Sequence, residues 1–181
     1  MSGLRILCVC THNRTRSVLM AAFLREHLAR CGVVAEVNTA GFRDEGLPPT
    51  EMTVRLLAAR GIDVSDHRSR RVSGDLVAWA DLVLTAERDH VVRIAGDHLG
   101  AFVRTFTLPE LLVRAQTAGP RRGGPLGEWL AAVNAGRPGA VGYLLTPIPE
   151  LADPTGRAPA MWEAAAREID SLCRRLARPL A

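Results

Sequence analysis

Cys10 and Arg16 stand six positions apart in the run Cys10-Thr11-His12-Asn13-Arg14-Thr15-Arg16-Ser17, and their types set out one kind of chemistry. A cysteine with a lowered pKa is a thiolate nucleophile. An arginine grips two phosphate oxygens in a planar fork. The residues between them offer several backbone N–H groups, and such groups at the start of a helix form a ready anion site. Ser17 adds a hydroxyl beside the arginine. Nucleophile, anion cradle and clamp are the parts needed for in-line attack on a phosphoryl group.

These parts need a strand before them and a helix after them. The apolar run Leu4 to Val9 is short and bounded, as a buried strand should be. Val18 to Ala29 reads as a helix with Leu19, Phe23 and Leu28 on one face, and Ser17 stands where an N-cap belongs. All the Lys/Arg positions are arginine, so a cysteine–arginine spacing of six is cheap by chance, and Cys8 with Arg14 and Thr15 fits it too. Position chooses the register. Cys8 lies inside the apolar strand, where a free cysteine is a small buried hydrophobe, while Cys10 lies at its end. A packed thiol is the alternative for Cys10.

The loop Cys10 to Ser17 resembles the signature of the low-molecular-weight protein tyrosine phosphatases, cysteine-x-glycine-asparagine-x-cysteine-arginine-serine/threonine. Thr39-Ala40-Gly41 is similar to the family's serine-alanine-glycine turn, and Gly61 to Arg70 to its glycine-isoleucine-aspartate stretch ending in histidine-arginine-serine-arginine. Ala80 to Leu84 resembles its third strand, and Asp153-Pro154 its late acid loop. The resemblance implies roles. Cys10 would attack phosphorus and form a phosphocysteine. The loop, Thr11, His12, Asn13, Arg14, Thr15, Arg16 and Ser17, would bind the phosphate, with Arg16 as clamp. Ser17 would donate its hydroxyl to the Cys10 sulfur, and Thr39 and His67 would pin Asn13. Asp153, kept out of helical geometry by Pro154, would act as general acid and then base. Asp44, Asp63 and Asp66 read as caps or surface charges.

Three departures bear on substrate choice. The family's loop glycine is His12 here and its second loop cysteine is Thr15, so only Cys8 remains as a disulfide partner for Cys10. The aromatic residue that often follows aspartate-proline is Thr155, and Tyr143, Trp129 and Phe42 are candidates to replace it. Cysteine-threonine-histidine-asparagine also resembles the loop of arsenate reductases built on this fold. Cys31 and Cys173 are misplaced for a thioredoxin-coupled relay, which leaves a small-thiol reductase as the alternative activity and a non-catalytic phosphate-binding module as a distant third.

Along the chain, strands alternate with helices, which implies an α/β fold: a doubly wound, four-stranded parallel sheet with helices on both faces and ligands at the strands' C-terminal ends. Val33 to Val37 reads as the second strand, Pro49 to Gly61 as a helix, and Val72 to Ala80 as another capped by Ser73. Leu82 to Leu84, Glu87 to Ile94, Ala101 to Phe106 and Leu108 to Ala115 follow as strand, helix, strand and helix, and a last helix runs from Pro159 to Leu176. The whole of 1–181 reads as one domain with an insertion at about 116–146, rich in glycine, proline and arginine, holding a short helix at Gly127 to Val133. That insertion is either a tolerated surface loop or a lid.

The net charge of +4 comes from scattered arginines, with few aromatics and none interleaved, so nucleic acid is not expected as a partner. Four cysteines without a C-x-x-C pair give neither a zinc framework nor a disulfide scaffold, and no metal or cofactor is expected. With no signal peptide and no membrane-spanning run, the expected setting is a reducing cytoplasm and the expected partner a phosphotyrosine protein or small phosphomonoester. Oligomeric state is left open.

Overall fold

A computed structural model describes residues 3–43 and 45–181, so Asp44 lies outside the described residues. Four parallel strands, β1 (Leu4–Cys10), β2 (Ala35–Gly41), β3 (Leu82–Thr85) and β4 (Thr105–Thr107), lie in the order β2-β1-β3-β4. The eight helices are α1 (Arg16–Arg30), α2 (Glu51–Ala58), α3 (Gly74–Trp79), α4 (Arg88–Asp97), α5 (Leu108–Ala118), α6 (Leu126–Asn134), α7 (Ala140–Tyr143) and α8 (Pro159–Leu180) among the described residues.

After Arg5, which reaches out to Asp81 at 2.7 Å, alternation along β1 explains why Ile6 to Cys10 is continuously apolar. Ile6, Cys8 and Cys10 join a large core with residues of α1, α5 and α8. Leu7 and Val9 join a smaller core on the other face with Val77 of α3 and Ile94 of α4. A strand covered on both faces has no polar side to show. The doubly wound α/β sheet is as expected, and Cys10 ends its first strand beside Gly41.

Of the boundaries that differ from expectation, three have identifiable reasons. β2 begins at Ala35 and runs to Gly41, because pairing with β1 starts at Leu4 opposite Ala35, while Val34 stays 75 % exposed. Ala101 to Phe106 is not one strand. Phe102–Arg104 winds as a 3-10 turn, since β3 is only four residues long and pairs with Thr105–Thr107 alone. α1 begins at Arg16, with Thr15 as its N-cap residue and no side-chain cap. Ser17 is therefore inside the first turn and not the cap, and its hydroxyl is turned to another use. Ser73 caps α3 as expected, accepting from the Leu76 amide.

α8 is the long helix that closes the large core against α1. Asp170 on α8 takes His27 Nε2 of α1 at 2.8 Å and Arg60, just beyond α2, at 3.0 Å. Burial pushes this carboxyl upward, but the hydrogen bonds and charges of Arg60 and His27 outweigh it and hold Asp170 below its usual value.

The 116–146 segment is packed. Glu110 of α5 is 3 % exposed and accepts from Arg114, from Arg137 at 2.9 Å and from the Tyr143 hydroxyl at 2.6 Å. The Arg137 guanidinium lies 4.0 Å from the Phe106 ring centroid and 4.1 Å from that of Phe102. A buried charge set that is fully paired fixes the segment rather than freeing it. Tyr143 is fully buried in this knot and Trp129 donates its indole N–H to the Gly119 carbonyl, so neither lines the Cys10 pocket.

Candidate active site

The loop after β1 is shaped from below. Asn13 takes a left-handed φ of 54°, which asparagine tolerates better than most residues. A Cβ at Gly41 would stand 2.7 Å from the Asn13 nitrogen, so the β2 backbone passes under the loop only because that residue is glycine. The Thr11 carbonyl accepts the Phe42 amide at 2.8 Å, and the Arg14 carbonyl accepts the Thr50 amide at 3.1 Å. Thr50 Oγ1 also meets the hydroxyls of Thr15 at 3.1 Å and Thr53 at 2.7 Å.

Asn13 is the hub. Its side-chain carbonyl accepts the Arg70 amide at 3.0 Å, its backbone carbonyl accepts His67 Nε2–H at 2.7 Å, and its amide donates to Ser17 Oγ at 3.0 Å. Burial lowers the His67 pKa, with the arginines around it adding to the effect, so the ring is the neutral donor this contact needs. Ser17 Oγ already accepts from Asn13, so its own hydrogen is free for the Cys10 sulfur 3.1 Å away. Thr39 is the exception among the expected supports. No hydrogen bond joins its side chain to Asn13 among the described residues; its carbonyl accepts Arg70 Nε at 2.8 Å and holds the loop one step removed.

Cys8 and Cys10 separate as position suggested. Cys8 is wholly enclosed, and burial pushes its thiol up to about 12. Cys10 opens onto a cavity of about 110 Å³ lined also by His12, Arg14, Thr15, Arg16, Thr50, Asp153 and Thr155. All four cysteines are free.

Arg16 is 2 % exposed and is aimed by two carboxylates, Glu87 at 2.5 Å and Asp153 at 2.8 Å. It also donates to the Leu151 carbonyl at 3.1 Å and lies 3.4 Å from Thr11 Oγ1. Asp153 sits in a turn, its other oxygen accepting the Thr155 amide at 2.9 Å. Burial pushes this carboxyl upward, but the Thr155 hydrogen bonds and the charges of Arg16 and His12 outweigh it and hold Asp153 below the usual value.

Glu87 and His90, which the sequence did not single out, touch the site through Arg16 and Thr11. Glu87 caps α4, and His90 Nδ1 accepts the Glu87 amide at 3.2 Å. Burial takes His90 down to about 4, so the ring is neutral and its Nε2–H donates to Thr11 Oγ1 at 3.2 Å. A signal was present: Glu87 follows a buried parallel strand, at the end where ligands bind in such sheets. Phe42, the third aromatic candidate, stacks on His90 with centroids 5.2 Å apart and does not line the pocket.

A parallel sheet whose first strand delivers a thiol into an anion loop, faced by an arginine and a carboxylate, defines a class of α/β proteins that handle phosphate-like oxyanions. The family model for low molecular weight phosphotyrosine protein phosphatase matches residues 5–108, and the chain belongs to that family. It is 34 % identical over 107 residues to the probable low molecular weight protein-tyrosine-phosphatase EpsP of Ralstonia nicotianae, covering 59 % of this chain and 71 % of that one. It is 34 % identical over 85 residues to an arsenate reductase of Bacillus licheniformis, 47 % of this chain and 58 % of the other. The solved arginine phosphatase YwlE from Geobacillus stearothermophilus superposes with a TM-score of 0.71 at 27 % identity, covering 96 % and 90 % of the two chains. Asp153 lies beyond the family-matched residues, so its place in the site rests on geometry.

Proposed function

We propose that the chain is a cysteine-dependent phosphatase that hydrolyses phosphomonoesters, phosphotyrosine proteins or small aryl phosphates, in the cytoplasm. The observation that carries this reading is the convergence of Cys10, its Ser17 partner at 3.1 Å, and the Arg16–Asp153 pair at 2.8 Å around one small cavity. Residues 1–181 act as a single domain in this reading, with 116–146 as a fixed insertion rather than a lid.

In the reaction, the phosphate dianion enters the loop and draws Arg16 away from Asp153 onto its own oxygens. Freed of that neighbour and placed beside an anion, Asp153 takes up a proton. The Cys10 thiolate attacks phosphorus, a P–S bond forms as the ester P–O bond breaks, and Asp153 protonates the leaving oxygen. Water then attacks the phosphocysteine with Asp153 as base, and the thiolate leaves, stabilised by the Ser17 hydroxyl. The loop amides and Arg16 hold the equatorial oxygens and grip harder as charge spreads. His67 acts through Asn13 and Thr39 through Arg70; both position the loop.

An arsenate reductase reading needs a reductant. Cys8 and Cys173 are enclosed, and Cys31 lies beyond the far end of α1, a helix of 15 residues and thus about 22 Å long. No protein thiol stands ready to deliver electrons to an arsenate held on Cys10, so this reading needs a small external thiol as reductant. The test assays aryl phosphate hydrolysis beside arsenate-dependent thiol oxidation. Cys10→Ser should abolish hydrolysis while still binding vanadate, and Cys8→Ser should keep most activity. Arsenate-dependent oxidation exceeding hydrolysis would overturn the phosphatase reading in favour of the reductase.

A further inference from the structure

We propose that Arg14 is a specificity-determining residue that reads a second negative charge on the substrate, beside the phosphoryl group, and turns away a positive one. The substrate class is then a phosphomonoester with a carboxylate or further phosphate next to its phosphorylated group. This rests on the phosphatase reading.

Arg14 lines the cavity with Cys10, Thr50, Asp153 and Thr155. It is held at both ends, because its backbone carbonyl accepts the Thr50 amide and its Nε donates to the Pro48 carbonyl at 2.8 Å. The Nε contact is to a neutral group, so the charge on the guanidinium is not cancelled and its two terminal nitrogens stay available. No ion pair reaches Arg14 among the described residues, whereas Arg16, two positions on, has two. Asp153 is the one carboxylate lining this cavity, and it is engaged by Arg16 and the Thr155 amide. Thr50 and Thr155 offer hydroxyls, and His12 adds no negative charge. Arg14 therefore brings a positive charge without an acid partner to a pocket whose other arginine is already paired with Glu87 and Asp153.

Two arginines in one small pocket do different work. Arg16 is buried and aimed by acids, as suits a clamp that must hold its geometry. Arg14 is half-buried and its side chain is steadied by the Pro48 carbonyl alone, as suits a group that recognises whatever charge the rest of the substrate carries. A guanidinium or ammonium beside the phosphoryl group would meet like charge there, and such juxtaposition is a strong means of rejecting a partner.

The experiment compares three aryl phosphates bearing a carboxylate, a carboxamide or an aminomethyl group, and three phosphotyrosine peptides flanked by aspartate, asparagine or arginine. Wild-type kcat/KM should fall from anionic to neutral to cationic, each step about fivefold at low salt and carried in KM, with the spread shrinking as ionic strength rises. Arg14→Gln should collapse the ratios toward one, and Arg14→Lys should keep their order. A preference in the small series alone places the second charge on the ring, and one in the peptides alone places it on the neighbouring residue; either upholds the proposal. Unchanged ratios in Arg14→Gln, or a wild-type enzyme without the order, overturn it. If no phosphomonoester is turned over, the phosphatase reading has failed. Titrating Cys10→Ser with the same three aryl phosphates then still tests Arg14, and equal affinities would overturn it.

Discussion

At the scale of single residues, the site divides into what local spacing could reveal and what it could not. Cys10, Arg16 and Ser17 belong to one turn, so their relation survives in the linear order. Glu87 lies 71 positions after Arg16, and only the β1–β3 pairing brings them together. Thr39, a support of Asn13 by resemblance, reaches it through Arg70, whose side chain it holds and whose amide Asn13 accepts. Glu87→Gln should lower kcat/KM for an aryl phosphate about tenfold, mostly in kcat, because the clamp loses one of the two charges that aim it while the fold keeps a hydrogen-bonding group of equal size. Steady-state kinetics on the variant, with its melting temperature as control, decide this. Unchanged kinetics would show that Asp153 and Leu151 alone aim Arg16.

At the scale of elements, the sheet was legible because buried parallel strands are short apolar runs and their crossover helices carry a clear period. Boundaries that failed were those set by partners: β2 starts where β1 does, and β4 is as short as β3 allows. Gly41→Ala tests how β2 supports the loop. The added Cβ would meet the Asn13 nitrogen, and displacing the loop by about 1 Å is expected to cost roughly 100-fold in turnover. Normal activity in that variant would mean the loop can shift without harm. Asp170→Asn tests how α8 is held, and loss of its charged hydrogen bonds to His27 and Arg60 should cost about 1.5–3 kcal/mol. The Asp170 pKa is depressed in the fold, so its contribution is present above the unfolded carboxylate value of about 3.9 and is lost as pH falls through the lower folded value. Denaturant melts at neutral and acid pH should therefore separate wild type from variant at neutral pH and converge at low pH.

At the scale of the molecule, every Lys/Arg charge is an arginine, the net charge is +4 and the sequence pI is about 9.4. The packed segment 116–146 was not legible as such, because its glycines and prolines read as a loop while the Glu110–Arg137–Tyr143 knot that fixes it is assembled from positions up to 33 residues apart. Among the described residues, no helix is long and apolar enough to cross a membrane. The pairing of Arg16 with Asp153 in the ligand-free protein has a thermodynamic consequence. An oxyanion that captures Arg16 leaves Asp153 beside a new negative charge, and its depressed affinity for protons rises. Oxyanion binding is then linked to proton uptake. At mildly acidic pH the calorimetric heat of vanadate or phosphate binding should vary with the ionisation enthalpy of the buffer, and apparent affinity should weaken as pH climbs above the bound-state value. Asp153→Asn should remove most of the buffer-dependent heat, and a wild-type heat that is the same in every buffer would break the link between the resting ion pair and the acid.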